Sequence, residues 1–181
     1  MNYNNLVSMG ILQSENISSY REKAFIVDDI FTILQDAYRD VKGGLNFKNR
    51  DDLISTTALW KVIYLNENIV GVVIYKAKKG LKMVALGISS YLSKQSSSFT
   101  KAMLSYIFKH TFANTWMEVS EGVEKFIIKN GGENFFVKNT LAHQLTHKEI
   151  LSLDDDGYHY VRMINGIKKR KIIIGTALII D

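Results

Sequence analysis

The sequence predicts an α/β fold of the α+β kind, a mixed and mostly antiparallel sheet with one central parallel β–α–β unit. Three observations predict it. First, β-branched and apolar runs at 59–65 and 69–75 flank the turn Asn66-Glu67-Asn68. A third run at 81–88 follows Lys78-Lys79-Gly80, so three consecutive antiparallel strands form a meander. Second, Ile30, Phe31, Leu34, Ala37, Tyr38 and Val41 recur at helical spacing, as do Phe99, Met103, Leu104, Ile107, Phe108 and Phe112. Third, the helix at 99–112 separates strand 81–88 from a further strand at 115–119. By the crossover rule such a unit is parallel and right-handed.

The remaining elements follow in chain order. Proline is absent, so glycine and asparagine supply the punctuation. Residues 1–27 form an N-terminal segment in which 6–12 and 24–27 are competing short strands, separated by a polar stretch. Asp28 or Asp29 caps the first helix and Gly43-Gly44 ends it, and a short helix runs from near Asn49 to Thr56 with Asp51 and Asp52 in its first turn. Residues 89–98 read as a polar, serine-rich loop delivering the helix at 99–112. Residues 121–129 form a helix with Val123, Phe126 and Ile127 inward, ended by Gly131-Gly132. Strands are expected at 134–138 and 158–164, with a helix over about 139–151 between them. Asn165-Gly166 turns the chain into a final strand at 171–174 within a C-terminal stretch at 165–181. At 181 residues the whole chain reads as one domain.

Composition narrows the function classes. With no cysteine, disulfides, thiol nucleophiles and cysteine-ligated metal sites are excluded. The longest nearly apolar run, 172–180, is far short of the roughly 20 residues of a spanning helix, so no membrane association is expected. The first residues lack the basic start and apolar stretch of a secretory signal, which reads as cytoplasmic. A net charge of +5 suits an anionic ligand: a phosphate, a nucleotide cofactor or a nucleic acid. Lys76, Lys78, Lys79 and Lys82 cluster at one turn and Lys168, Lys169, Arg170 and Lys171 at another; the ordinary reading of each is a solvated hairpin tip. The lysine- and asparagine-rich composition suits a phage or a low-GC bacterium. The apolar run at 172–180 is suited to covering a sheet edge or to meeting a second copy in a homodimer.

In an α/β sheet the ligand sits beyond the carboxyl end of a strand where the chain enters a helix, which points to residues 87–100. That window holds Gln95-Ser96-Ser97-Ser98-Phe99-Thr100. Gly71 lies in the middle of the second meander strand, and Asn130-Gly131-Gly132 ends the helix after strand 115–119. With the element order, these features resemble the acyl-CoA-dependent N-acyltransferase superfamily of GNAT fold over about residues 28–164. The resemblance implies helices on both faces of the sheet and an acyl-CoA donor such as acetyl-CoA. It further implies that backbone groups at Leu86, Gly87 and Ile88 bind the pantetheine arm, and that Gln95, Ser96, Ser97, Ser98, Phe99 and Thr100 hold the pyrophosphate at a helix N-terminus. Gln95 matches the Gln/Arg position of the family loop, while Ser98 and Thr100 replace its two small residues. Ile127 stands where many members carry a tyrosine acid, and an isoleucine cannot donate a proton.

The expected reaction is direct attack of an unidentified amine on the acyl thioester. Glu118 is the candidate base, and Tyr158 or Tyr160 the candidate replacement acid, with His159 on the other face of their strand. His143 and His147 share a helix face, but Gln144 follows the first histidine where a metalloprotease helix has glutamate, so the pair reads as structural and no metal is assigned. Asp154-Asp155-Asp156-Gly157 reads as a turn. The competing functional class is a GNAT-fold binding or structural protein of a phage or bacterial assembly that has lost catalysis. A nucleic-acid-associated protein using the two basic tips is a third.

Overall fold

The structure is a computed structural model, and it describes residues 11–41, 44–78, 80–95, 97–112, 115–135, 159–164 and 167–174. Its elements are β1 (Leu12–Ile17), α1 (Tyr20–Ala37), α2 (Arg50–Ser55), β2 (Leu59–Leu65), β3 (Asn68–Ala77), β4 (Leu81–Ile88), α3 (Ser90–Gln95), α4 (Ser97–Lys109), β5 (Thr115–Ser120), α5 (Glu121–Lys129), a 3-10 turn (Gly132–Phe135), β6 (His159–Ile164) and β7 (Ile167–Ile174). The strands follow the order β1-β2-β3-β4-β5-β7-β6. β4 and β5 are parallel, whereas β1–β2, β2–β3, β5–β7 and β6–β7 pair antiparallel. The mixed sheet and its parallel β–α–β unit are as the sequence indicates. No helix among the described residues is long and apolar enough to cross a membrane. The chain divides into two compact units, Met1–Lys76 with Val84–Met103, and Ala77–Met83 with Leu104–Asp181.

In the first unit the N-terminal segment departs from expectation. The strand is β1, over Leu12–Ile17, and 24–27 lie inside α1. β1 buries only its end residues, Leu12 and Ile17, and shows polar side chains between them, which hides it from a search for apolar runs. Such polarity suits a strand at the end of a sheet, where an apolar edge would recruit other chains. α1 starts at Tyr20, well before Asp28, because Ser19 caps it: the Ser19 hydroxyl accepts from the Glu22 amide at 3.2 Å and lies 3.1 Å from the Glu22 carboxylate. The buried stripe of α1 is Lys23, Ile30 and Leu34. Lys23 occupies a core position at 1% exposure, donating to the carbonyls of Thr56 at 3.2 Å and Ala58 at 2.6 Å, with its ammonium 5.2 Å from the Trp60 ring centre. Burial holds its pKa below that of an ordinary lysine. A charged residue on the core stripe is why apolar spacing alone starts the helix too late.

α1 also ends sooner than its apolar periodicity suggests, at Ala37, with the Tyr38 amide donating to the Leu34 carbonyl as the cap. α2 matches its reading, capped by Asn49, whose side chain accepts from the Asp52 amide at 2.8 Å. α1 and α2 together with β1–β3 enclose a core of Ile30, Leu34, Leu53, Trp60, Val62, Val72 and Ile74.

In the second unit, β5 has β7 as its antiparallel neighbour, with Glu118 opposite Lys171 and Ser120 opposite Lys169. α5 spans the expected residues and buries Ile127, but Phe126 stays 43% exposed, so only part of the expected inward face turns inward. The strand expected at 134–138 is not found in its described part, where residues 132–135 form the 3-10 turn; the rest of it, and the expected helix at 139–151, lie outside the described residues. Gly132 is buried against Ile127 and Phe108. A β-carbon there would meet the Ile127 γ2 methyl, the Phe108 ring at 2.9 Å and the Ile127 carbonyl at 3.0 Å. The Phe108 and Phe135 rings pack at 5.8 Å between centres.

Two substitutions test this packing. Lys23→Met leaves the carbonyls of Thr56 and Ala58 without their donor and is expected to cost about 1–3 kcal/mol in urea unfolding. Gly132→Ala is expected to cost about 1–3 kcal/mol, because one of the colliding atoms is backbone and cannot turn aside. A loss below about 0.3 kcal/mol for either variant would contradict the contacts described.

Candidate active site

The carboxyl end of β4 lies beneath the last turns of α1. Gly87 permits this approach: a β-carbon at Gly87 would lie 3.0 Å from the Ile33 γ2 methyl and 3.1 Å from a Leu34 methyl. Along β4 the peptide groups alternate in direction. Just beyond the strand the Ser89 amide donates to the Val70 carbonyl of β3 at 2.8 Å, and the Gly87 carbonyl also lies beside Gly71 of β3. By alternation the Leu86 amide points to the other edge of β4. There it donates to the Tyr38 hydroxyl at 3.1 Å. Burial raises the Tyr38 pKa, partly offset by this amide, so its phenol is neutral at ordinary pH. A second tie joins the same elements, since the Ser90 hydroxyl at the start of α3 lies 3.4 Å from the Asp36 carboxylate. Sequence reasoning missed Tyr38 as a site residue because its spacing assigns it to the core face of α1.

The expected serine-rich loop is largely helical. α3 takes up residues 90–95, and α4 starts at Ser97, two residues before the expected start at Phe99. Gln95 closes α3, Ser96 lies outside the described residues, and Ser97, Ser98, Phe99 and Thr100 form the first turn of α4. Phe99 and Thr100 are buried and Ser98 is exposed. The described end of the window, Ser97–Thr100, is therefore a helix N-terminus with its positive dipole end, and α3 precedes it as far as Gln95.

Glu118 is not a solvent-facing strand residue. Its carboxylate lies 3.1 Å from the Lys82 ammonium, with side-chain exposures of 8% and 14% respectively. Lys82 also stands 5.0 Å from the Trp116 ring centre, and Lys171, itself buried, stands 4.9 Å from the same ring. The Trp116 indole donates to the Lys78 carbonyl at 2.8 Å. Lys82 and Lys171, one from each basic cluster, are thus drawn onto one tryptophan, and Lys82 onto a carboxylate as well, which corrects their reading as members of solvated hairpin tips. Register alone exposes the arrangement: Lys82 pairs with Trp116 across β4–β5, and Glu118 with Lys171 across β5–β7. For Glu118 to take a proton it must loosen its contact with Lys82.

Ile127, which the resemblance sets at the position of the usual acid, is fully buried against Gly132. Tyr160 lies on β6 with its backbone paired to Arg170 of β7. Tyr158, the His143 and His147 pair and the aspartate turn at 154–157 lie outside the described residues.

No protein-family model matches the sequence, and no curated protein matches it. Solved structures do resemble it. Mutant forms of the spermidine/spermine N-acetyltransferase SpeG from Vibrio cholerae superpose with a TM-score of 0.51 at 13% identity, covering 92% of this chain and 94% of theirs. Tetrahymena GCN5 gives a TM-score of 0.50 at 10% identity, covering 90% of this chain and 96% of its own. At such identities the likeness speaks for architecture. The chain has the GNAT fold, the fold of these N-acetyltransferases.

Proposed function

We propose that the protein is an acyl-CoA-dependent N-acyltransferase that moves an acyl group, acetyl in the simplest case, from the thioester to an amine. The observation that carries this reading is the Leu86 amide. It lies at the carboxyl end of β4, points away from β3, and is held by a side-chain hydroxyl where a neighbouring strand would offer a carbonyl. A pantetheine arm laid along Leu86, Gly87 and Ile88 would add to β4 as a strand does, by main-chain hydrogen bonds. In this reading the strand edge would supply the amide, and the first turn of α4, Ser97–Thr100, would hold the diphosphate at its N-terminal end. Resemblance in fold to SpeG and GCN5 supports the same class.

When bound, the acyl-CoA supplies an activated carbonyl. The amine nitrogen attacks that carbon, the C–S bond breaks, and the amine's proton must leave while the thiolate gains one. Glu118 is the carboxylate we assign to the first proton, taken from the attacking neutral amine as the contact with Lys82 loosens. Tyr158 or Tyr160 is assigned to the second. No cysteine is needed, since the acyl group passes directly.

A second reading, a GNAT-fold module without catalysis, is favoured by the buried Ile127 in place of the acid. Binding separates the two. Acetyl-CoA at about 100 times its dissociation constant is expected to stabilise the protein by about 2.7 kcal/mol, seen as a rise in melting temperature. No shift at millimolar acetyl-CoA leaves the binding module as the surviving reading. Given binding, Glu118→Gln is expected to lower acyl transfer about 10²-fold or more with acetyl-CoA affinity preserved. Unchanged turnover would remove Glu118 as the base.

A further inference from the structure

The end of α1 holds its residues in two different ways. Ile33 and Leu34 pack onto Gly87 with no room for a β-carbon between, and Asp36 is tied to Arg39 at 2.5 Å and to Ser90. Tyr38, one residue beyond the helix, is fixed through its backbone amide, which donates to the Leu34 carbonyl at 3.0 Å. Its ring packs against the core of the first unit, and its polar tie to β4 is one neutral hydrogen bond, the hydroxyl accepting from the Leu86 amide. A rotation about its Cα–Cβ bond would release the hydroxyl without breaking a helical hydrogen bond. Space lies alongside, because Tyr38 also lines a groove of about 430 Å³ whose walls include Phe31, Leu45, Phe47, Arg39 and Lys48.

We propose that Tyr38 is a displaceable stand-in for the acyl donor: its hydroxyl occupies the Leu86 amide in the free protein and yields it to a carbonyl of the pantetheine arm. This role rests on the donor site proposed above. It makes Tyr38 a positioning residue that keeps the part-buried Leu86 amide paired until the donor arrives, at the expense of donor affinity. A single neutral hydrogen bond is worth little net, so the competition it sets is modest, about 3–10-fold in dissociation constant. The displaced ring turns toward the Phe31 and Phe47 side of the groove, so donor binding also reshapes the groove that Tyr38 lines.

The test compares wild-type protein and Tyr38→Phe by calorimetric titration with two ligands. Acetyl-CoA carries the arm, whereas adenosine 3′,5′-bisphosphate carries only the nucleotide end. Acetyl-CoA is expected to bind Tyr38→Phe about 3–10-fold more tightly than wild type, and the bisphosphate to behave alike with both. Equal or weaker acetyl-CoA binding by the variant overturns the role of Tyr38 and leaves the donor site standing. Tightening of both ligands means a general change in the fold and also overturns it. Absence of acetyl-CoA binding to either protein removes the donor site and this role with it. Because the variant leaves the Leu86 amide unpaired, wild-type protein labelled with ¹⁵N-leucine provides a second measurement. Its Leu86 amide resonance is expected to shift and to lose its contact with the Tyr38 ring as acetyl-CoA saturates. Persistence of that contact overturns the proposal even if the variant does not fold.

Discussion

The close approach of α1 to the carboxyl end of β4 is the constraint on which the candidate site depends. Gly87 removes the β-carbon that would hold the helix off, so Ile33 and Leu34 settle directly on the strand. With the helix at that height, the next residue on the same face, Tyr38, brings its hydroxyl to the strand edge at Leu86. A bulkier residue at 87 would lift α1 and separate the hydroxyl from the amide together. One steric fact thus sets the packing of the core, the pairing of the part-buried Leu86 amide and the geometry of the proposed donor site.

Electrostatics are handled differently in the two units. In the first, Lys23 is buried without a carboxylate and is satisfied by two carbonyls and the face of Trp60, an arrangement that exploits the long lysine stem and the negative face of the indole. In the second, Lys82 and Lys171 share Trp116, and Glu118 offsets part of their charge. Burying such groups costs solvation that hydrogen bonds and ion pairs must return, so each is surrounded by specific partners.

Much of the architecture was legible because periodicity reports directly on burial. The residues of β2, β3, β4, β5 and α5 announce themselves through β-branched runs, or through glycines placed at the ends of elements. β1 and the start of α1 were not legible from apolar spacing: one is a polar strand held by main-chain pairing with β2, and the other carries a lysine on its core stripe. The Ser19-to-Glu22 capping box was the missed local signal. At the site, Leu86–Ile88 was legible as a strand end leading into a helix. That residues 90–95 form a helix of their own was hidden by their serine content, since serine is read as a loop former when its partners are unknown.

The sequence by itself determined the alternation of strands and helices, the parallel crossover and the absence of thiol chemistry, because these follow from local spacing and composition. Only the tertiary structure decided which side chain meets the Leu86 amide, which lysines leave the surface for Trp116, and that Ile127 serves the core. Those outcomes join residues far apart in the chain, such as Tyr38 with Leu86 and Lys82 with Glu118. Local propensity carries no information about such pairs; the register of the sheet and the height at which a helix rests upon it do.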